Sequence, residues 1–187
     1  MTILDIHIHE DPVLREVAKP IKTITDDIRE LAVNMSETMY AASGIGLAAN
    51  QVGIIQRIIV VDVDWAEDKG DPAKRKPIVM INPEIIDETV DDDEYNEGCL
   101  SLPGIEGDVW RPVGITARYR DLEFEQIEIQ CSDLFARAIQ HEIDHLDGVL
   151  FFDRMAEAER KTLTVALKRL AESEPGEGHT RSKAKNI

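Results

Sequence analysis

Cysteine is scarce in this chain of 187 residues, which holds only Cys99 and Cys131. Two thiols do not make a disulfide framework, and a chain long enough for one sizeable core does not need one. Long apolar runs are also missing; none approaches the roughly 20 residues that cross a bilayer. The N-terminus "MTILDIHIHEDP" lacks a basic region followed by an apolar stretch, and it carries Asp5, Glu10 and Asp11. It therefore reads without a secretory or organellar leader, and the cytoplasm is the expected compartment. Positive charge is in deficit too. The formal net charge is -16, which favours solubility and argues against broad binding to DNA or to an anionic membrane. Repeats and a second domain are not found. One domain over residues 1–172 is expected, with 173–187 as a disordered tail.

What is present describes a soluble globular protein: 43% hydrophobic and 31% charged residues. The charge is uneven. Glu84–Glu97 holds 8 acidic residues and no basic one, whereas Arg160–Ile187 holds 7 basic and 3 acidic residues. "TDDIRELAVNMSETMY" (25–40) predicts a helix capped by Thr25, with Ile28, Leu31, Met35 and Met39 along one stripe. "RIIVVDV" (57–63) and "PIVMINP" (77–83) read as buried strands, with a charged surface loop over 65–77 between them. "VGITARYR" (113–120) and "EQIEIQC" (125–131) alternate with period two and predict an antiparallel hairpin. A helix follows from Ser132 or Asp133 to near Gly148, and a last one runs over roughly 154–171 with Leu163, Leu167 and Leu170 at helical spacing.

The chemistry centres on "QHEIDHLDG" (140–148). A helix advances about 100° per residue, so His141 and His145 point the same way, one turn apart. Leu134, Ala138, His141 and His145 make a single stripe, which puts both imidazoles on the face that would otherwise enter the core. Two core histidines satisfied by hydrogen bonds are the plain alternative; H-E-x-x-H on such a stripe favours a metal. Glu142 projects beside the stripe and suits a base acting on water better than a ligand. Asp144 falls on the outer face and is expected to be solvated. The third ligand must lie elsewhere. "IHIH" alternates as an edge strand would, with His7 and His9 on one solvent-facing side, and His179 falls in the tail. Cys99, among the polar and turn-forming residues of "NEGCLSLPG" (96–104), is the better candidate, whereas Cys131 reads as a small buried hydrophobe. A thiolate with two imidazoles leaves a position open, as catalytic sites require.

Three segments, "GIGLAANQ" (44–51), "EGCLS" (97–101) and "QHEIDHL" (140–146), together resemble the signature motifs of the peptide deformylase family, in order. Weaker similarity runs from about Asp11 to about Phe152. The resemblance implies an α+β fold with antiparallel sheets around a central metal-binding helix and helices at both ends. It implies a metallo-hydrolase that takes the formyl group from the N-terminal formyl-methionine of new polypeptides and releases formate. Cys99, His141 and His145 would hold one divalent ion, typically Fe(II), replaceable by Ni, Co or Zn. Glu142 would be the general base and then acid, and Gln51 and the backbone N–H of Leu100 would hold the oxyanion. Gly44 and Gly46 allow close backbone approach, and Ile45, Leu134 and Ala138 are plausible walls for an apolar methionine pocket. Glu97 is placed to pair with Arg111 of "VWRP" and pin the Cys99 loop, a solvated carboxylate being the alternative. The C-terminal helix resembles the form common in Gram-negative bacteria, and its Arg154, Arg160, Lys161, Lys168 and Arg169 invite a contact with the ribosome, an ordinary solvated helix face with a solubilising tail being the alternative.

Two other readings compete. A zinc protease would need a third ligand soon after the helix, where Asp147 and Asp153 are the nearby candidates. A closed structural site would need a fourth ligand, for which Cys131 is the obvious spare.

Overall fold

The computed structural model describes residues 1–66 and 71–182. The elements run β1 (Ile6–His7), α1 (Asp26–Ala41), β2 (Gly46–Ala48), β3 (Ile58–Val61), β4 (Ile78–Glu88), β5 (Asp92–Gly98) and β6 (Glu106–Pro112). They continue with β7 (Gly114–Arg120), β8 (Gln126–Ser132), α2 (Asp133–Leu146), α3 (Phe151–Arg154), α4 (Glu157–Glu172) and β9 (His179–Thr180). Five strands form an antiparallel sheet in the order β2-β3-β4-β7-β8, β5 pairs with β6, and β1 pairs with β9. This is the expected α+β arrangement.

The run "IIVV" shows why the sheet is filled on both sides. All four residues of β3 are buried, and successive side chains point to opposite faces. Ile59 and Val61 pack towards α2 with Met80, Ala117, Ile139 and Ile143. Ile58 and Val60 pack towards α1 with Ile28, Ala32, Met35 and Met39. A strand covered on both faces must be apolar throughout, so it shows no alternation. The predicted Thr25 cap is present, its side chain accepting from the Ile28 N–H at 3.4 Å. The β7–β8 hairpin forms with Gly114 opposite Ser132 and Arg120 opposite Gln126.

Several expectations are corrected. Strand β4 continues past the predicted end at Pro83 to Glu88, pairing with β7 through register shifts. The predicted loop over 65–77 contains short turns at Asp64–Ala66 and Pro72–Lys74; residues 67–70 lie outside the described part. The last helix forms as expected but starts at Glu157, because Met155 takes an extended backbone after α3 and its side chain packs against Gly107 of β6. His7 and His9 do not both face solvent. His7 Nδ1 lies 2.6 Å from the Asp11 carboxylate, and His9 meets Phe152 edge-on at 5.6 Å. The tail is not free as far as Ser182. Its β9 pairs in parallel with β1, Ile6 with His179 and His7 with Thr180, because Arg181 and Ser182 supply donors to the α4 end and to Asp11. Residues 183–187 lie outside the described part.

Candidate active site

Helix α2 lies against the sheet and carries the histidines into a cleft. Asp133 opens the helix with a positive φ of 56°, and Gly148 closes it at φ 73°. Glycine is required at 148, since a Cβ there would stand 2.6 Å from the Arg15 backbone oxygen. Three potential ligand atoms, from Cys99, His141 and His145, lie within 4.8 Å of one another. Cys99 Sγ is 3.1 Å from His145 Nε2.

His141 is held from behind, whereas the buried His145 Nδ1 has no hydrogen-bond partner among the described residues. His141 Nδ1 donates to Glu97 Oε2 at 2.9 Å, which leaves its Nε2 as the lone-pair nitrogen. Glu97 also accepts from Arg111 Nε at 2.7 Å and Nη2 at 3.0 Å, and from Arg137 Nη1 at 2.8 Å. Arg111 in turn reaches Asp144 at 2.8 Å, and Arg154 binds the same carboxylate at 2.6 Å. Burial alone would raise the pKa of Glu97, but the hydrogen bonds from His141 and Arg111 outweigh it. They hold the carboxyl well below the usual range. Asp144 is therefore buried and paired, not solvated on the outer face. The alternative of a solvated Glu97 is also excluded, because only 6% of the residue is exposed.

Gln51 sits in a helical turn over Ala49–Val52 and is fully enclosed. Its Oε1 accepts from the Ala48 N–H at 2.8 Å, so the amide cannot be turned around. Its Nε2 then faces Cys99 Sγ at 3.6 Å and Ser101 Oγ at 3.2 Å. The segment before it is fixed as well. Trp65 Nε1 donates to the Gly44 carbonyl at 2.8 Å, and Gly46 pairs with Val61. A Cβ on Gly46 would lie 2.4 Å from Glu142 Oε1, so only glycine lets this strand pass the carboxylate.

Glu142 is buried, and its Oε2 has no hydrogen-bond partner among the described residues. Burial pushes its pKa up to about 7, with His141 opposing the shift. A carboxyl poised there can take a proton from water and return it. The cleft itself has a volume of about 540 Å³ and is lined by Gly44, Ile45, Gly46, Leu100, Leu134 and Ala138, with Gln51, Cys99, His141 and Glu142. All the residues singled out from the sequence thus converge, and Glu97 and Arg111 stand directly behind them.

The donors fit one divalent ion: a thiolate and two imidazole nitrogens, with an orphaned carboxylate oxygen beside them. No other group of three such residues occurs among the described residues. The alternative ligands are engaged elsewhere. Asp147 pairs with Arg57 and Asp153 with Arg15, and Cys131, at the end of β8, faces the Ile115 carbonyl.

The sequence pattern of the polypeptide deformylase family matches residues 3–161. The chain belongs to the peptide deformylase family. A peptide deformylase of Chlorobaculum parvum is 48% identical over 165 residues, 88% of this chain and 86% of that protein. One of Salinibacter ruber is 43% identical and covers 92% and 90%. Among solved structures, a plant peptide deformylase superposes with a TM-score of 0.84 at 38% identity, covering 91% of this chain and 90% of that one. A Synechococcus elongatus peptide deformylase in complex with actinonin gives 0.78 at 39% identity, covering 96% and 92%. Membership carries the activity: the chain is a metallo-hydrolase that removes the N-formyl group from formyl-methionine nascent peptides. Among its described residues, no helix is long and apolar enough to cross a membrane.

Sequence reasoning passed over Ser101 and Arg137 and misplaced Asp144. The last two had a signal, because Arg137, His141 and Asp144 follow at i, i+4 and i+7 on one side of α2.

Proposed function

We propose that Cys99, His141 and His145 hold the ion and that Glu142 is the general base and then the acid of deformylation. The observation that carries this reading is the meeting of those three ligand atoms beside a buried carboxylate with one free oxygen. When bound, a divalent ion supplies Lewis acidity, making a hydroxide nucleophile available near neutral pH and polarising a carbonyl. Glu142 takes the proton from the attacking water at its carboxylate and delivers it to the departing amine nitrogen. Gln51 donates from Nε2 to the formyl oxygen as negative charge develops there, joined by the Leu100 backbone N–H. A preorganised donor of this kind contributes about 2.7–4 kcal/mol to the barrier. Because Gln51 Oε1 is tied to Ala48, the donor needs no reorientation. Gly44, Ile45, Gly46, Leu134 and Ala138 enclose the methionine side chain, and Glu97 and Arg111 hold the His141 ring.

Fe(II) is the ion we assign in the cell, with Ni, Co or Zn as substitutes. A soft thiolate beside two imidazoles accepts all four. The same pairing exposes iron and sulfur to oxygen, so the iron form loses activity in air while the nickel form keeps it. We assign the cytoplasm as the protein's setting. The exposed basic residues of α4 support a ribosome contact, although Lys161 and Lys168 already pair with Glu157 and Glu172. Co-sedimentation at low salt with Arg160 and Arg169 changed to Glu tests it; unchanged binding removes the contact.

Formate release from a formyl-Met peptide tests the central roles. Glu142→Ala should lose at least about 10²-fold in kcat, the usual worth of general acid–base catalysis, with its metal retained. Cleavage of an internal peptide bond instead would mark a protease.

A further inference from the structure

The segment after α4 takes no part in the roles above, yet it is built into the site. Gly178 O accepts from the Ile6 N–H at 2.9 Å and Thr180 O from the Ile8 N–H at 3.1 Å. The Arg181 guanidinium donates to His9 O at 3.2 Å, Ser173 O at 3.1 Å and Leu170 O at 3.0 Å. The Ser182 N–H donates to the buried Asp11 carboxylate. Strand β1, to which this tail is bound, is itself tied to the Cys99 loop, because the His9 N–H donates to Ser101 O at 2.9 Å. Tail, β1 and Cys99 loop are thus joined in series by backbone hydrogen bonds. Between the tail's anchors, His179 lines the same cleft as Cys99, Gln51 and Glu142.

We propose that the C-terminal strand forms one wall of the peptide cleft and that His179 is a specificity-determining residue for the part of the substrate that follows formyl-methionine. The inference rests on the deformylase reading of the site. A cleft of about 540 Å³ lies in the range of roughly 300–1,000 Å³ that encloses molecules larger than one side chain. His179 Nδ1 lies 3.1 Å from the Glu177 carbonyl oxygen. A carbonyl only accepts, so Nδ1 carries the hydrogen, and in that tautomer Nε2 is the acceptor. Its ligand is therefore a hydrogen-bond donor on the peptide: a backbone N–H, a hydroxyl or an amine beyond the second residue.

The test compares formyl-Met-Ala with formyl-Met-Ala-Ser-Lys on the nickel-loaded full chain. His179→Ala should raise KM for the tetrapeptide by about 2- to 10-fold, the worth of one net hydrogen bond, leaving kcat and both dipeptide parameters unchanged. His179→Gln, which keeps an acceptor, should recover most of that loss, and His179→Phe should not. Arg181→Ala, which frees the tail without touching the imidazole, should reproduce the loss. Equal KM values for wild type and His179→Ala on the tetrapeptide, or the same loss on both peptides, would overturn the inference while leaving the deformylase reading intact. Failure of the wild-type chain to release formate from either peptide would defeat both.

Discussion

Replacing Glu97 by Ala removes the acceptor that four donors share. Arg111 Nε and Nη2, Arg137 Nη1 and His141 Nδ1 lose contacts of 2.7–3.0 Å. Both guanidinium groups are buried, with Arg111 only 4% exposed, so neither can turn to water for compensation. Breaking a buried ion pair by deleting one partner costs about 3–5 kcal/mol. Here Arg111 keeps Asp144, and Arg137 keeps the carbonyls of Val109 and Asp93. The lower end of the range, about 3 kcal/mol, is therefore expected. For a protein of this size that is a fall in Tm of about 6–12 °C. Removing the group that orients His141 should also weaken metal binding on the order of 10- to 100-fold. Thermal unfolding and competition with a chelator read the two effects separately. Lys161→Ala, which breaks an exposed pair with Glu157 on α4, serves as the control and should change stability by no more than about 0.5 kcal/mol. A Glu97→Ala variant as stable as that control, with metal affinity unchanged, would refute the reasoning.

Gly46→Ala would drive a methyl group to 2.4 Å from Glu142 Oε1; the carboxylate must shift, and kcat should fall on the order of 10²-fold with metal content unchanged, whereas wild-type turnover would show that the contact is harmless. Asp11 gives a pH-dependent case. Burial alone would raise its pKa, but hydrogen bonds from His7 and from the backbone N–H groups of Ser182 and Val13 outweigh it and lower the value. Its folded pKa thus lies below the unfolded one of about 3.9, so its stabilisation is complete above that pH and is lost as pH falls through the lower folded value. Urea midpoints of wild type and Asp11→Asn should differ near neutrality and converge in acid; a constant difference would remove Asp11 as the cause.

The site was legible in the sequence because its chemistry lies in short, rigid pieces. His141, Glu142 and His145 share one helix, and Cys99 stands in a loop whose turn residues set it apart from Cys131. The periodic elements were legible for the same reason: α1 and the β7–β8 hairpin bury one face each. What was missed depends on long-range pairing. Strand β5 is almost wholly exposed and acidic, its only buried residue being Glu97, so apolar patterning gives no sign of it. Asp144 is charged and reads as an outer-face residue until Arg111, 33 positions earlier, is brought against it. The tail "GHTRS" has the composition of a disordered segment, and its order comes from backbone bonds to β1 and from Arg181 and Asp11, which composition does not reveal.

X-ray absorption on the zinc-loaded protein tests most directly whether Cys99, His141 and His145 form the metal centre. The account expects one sulfur at about 2.3 Å and two imidazole nitrogens at about 2.0–2.1 Å, with the sulfur lost in Cys99→Asp and kept in Cys131→Ser. A first shell without sulfur, or one whose sulfur vanishes with Cys131, would contradict it.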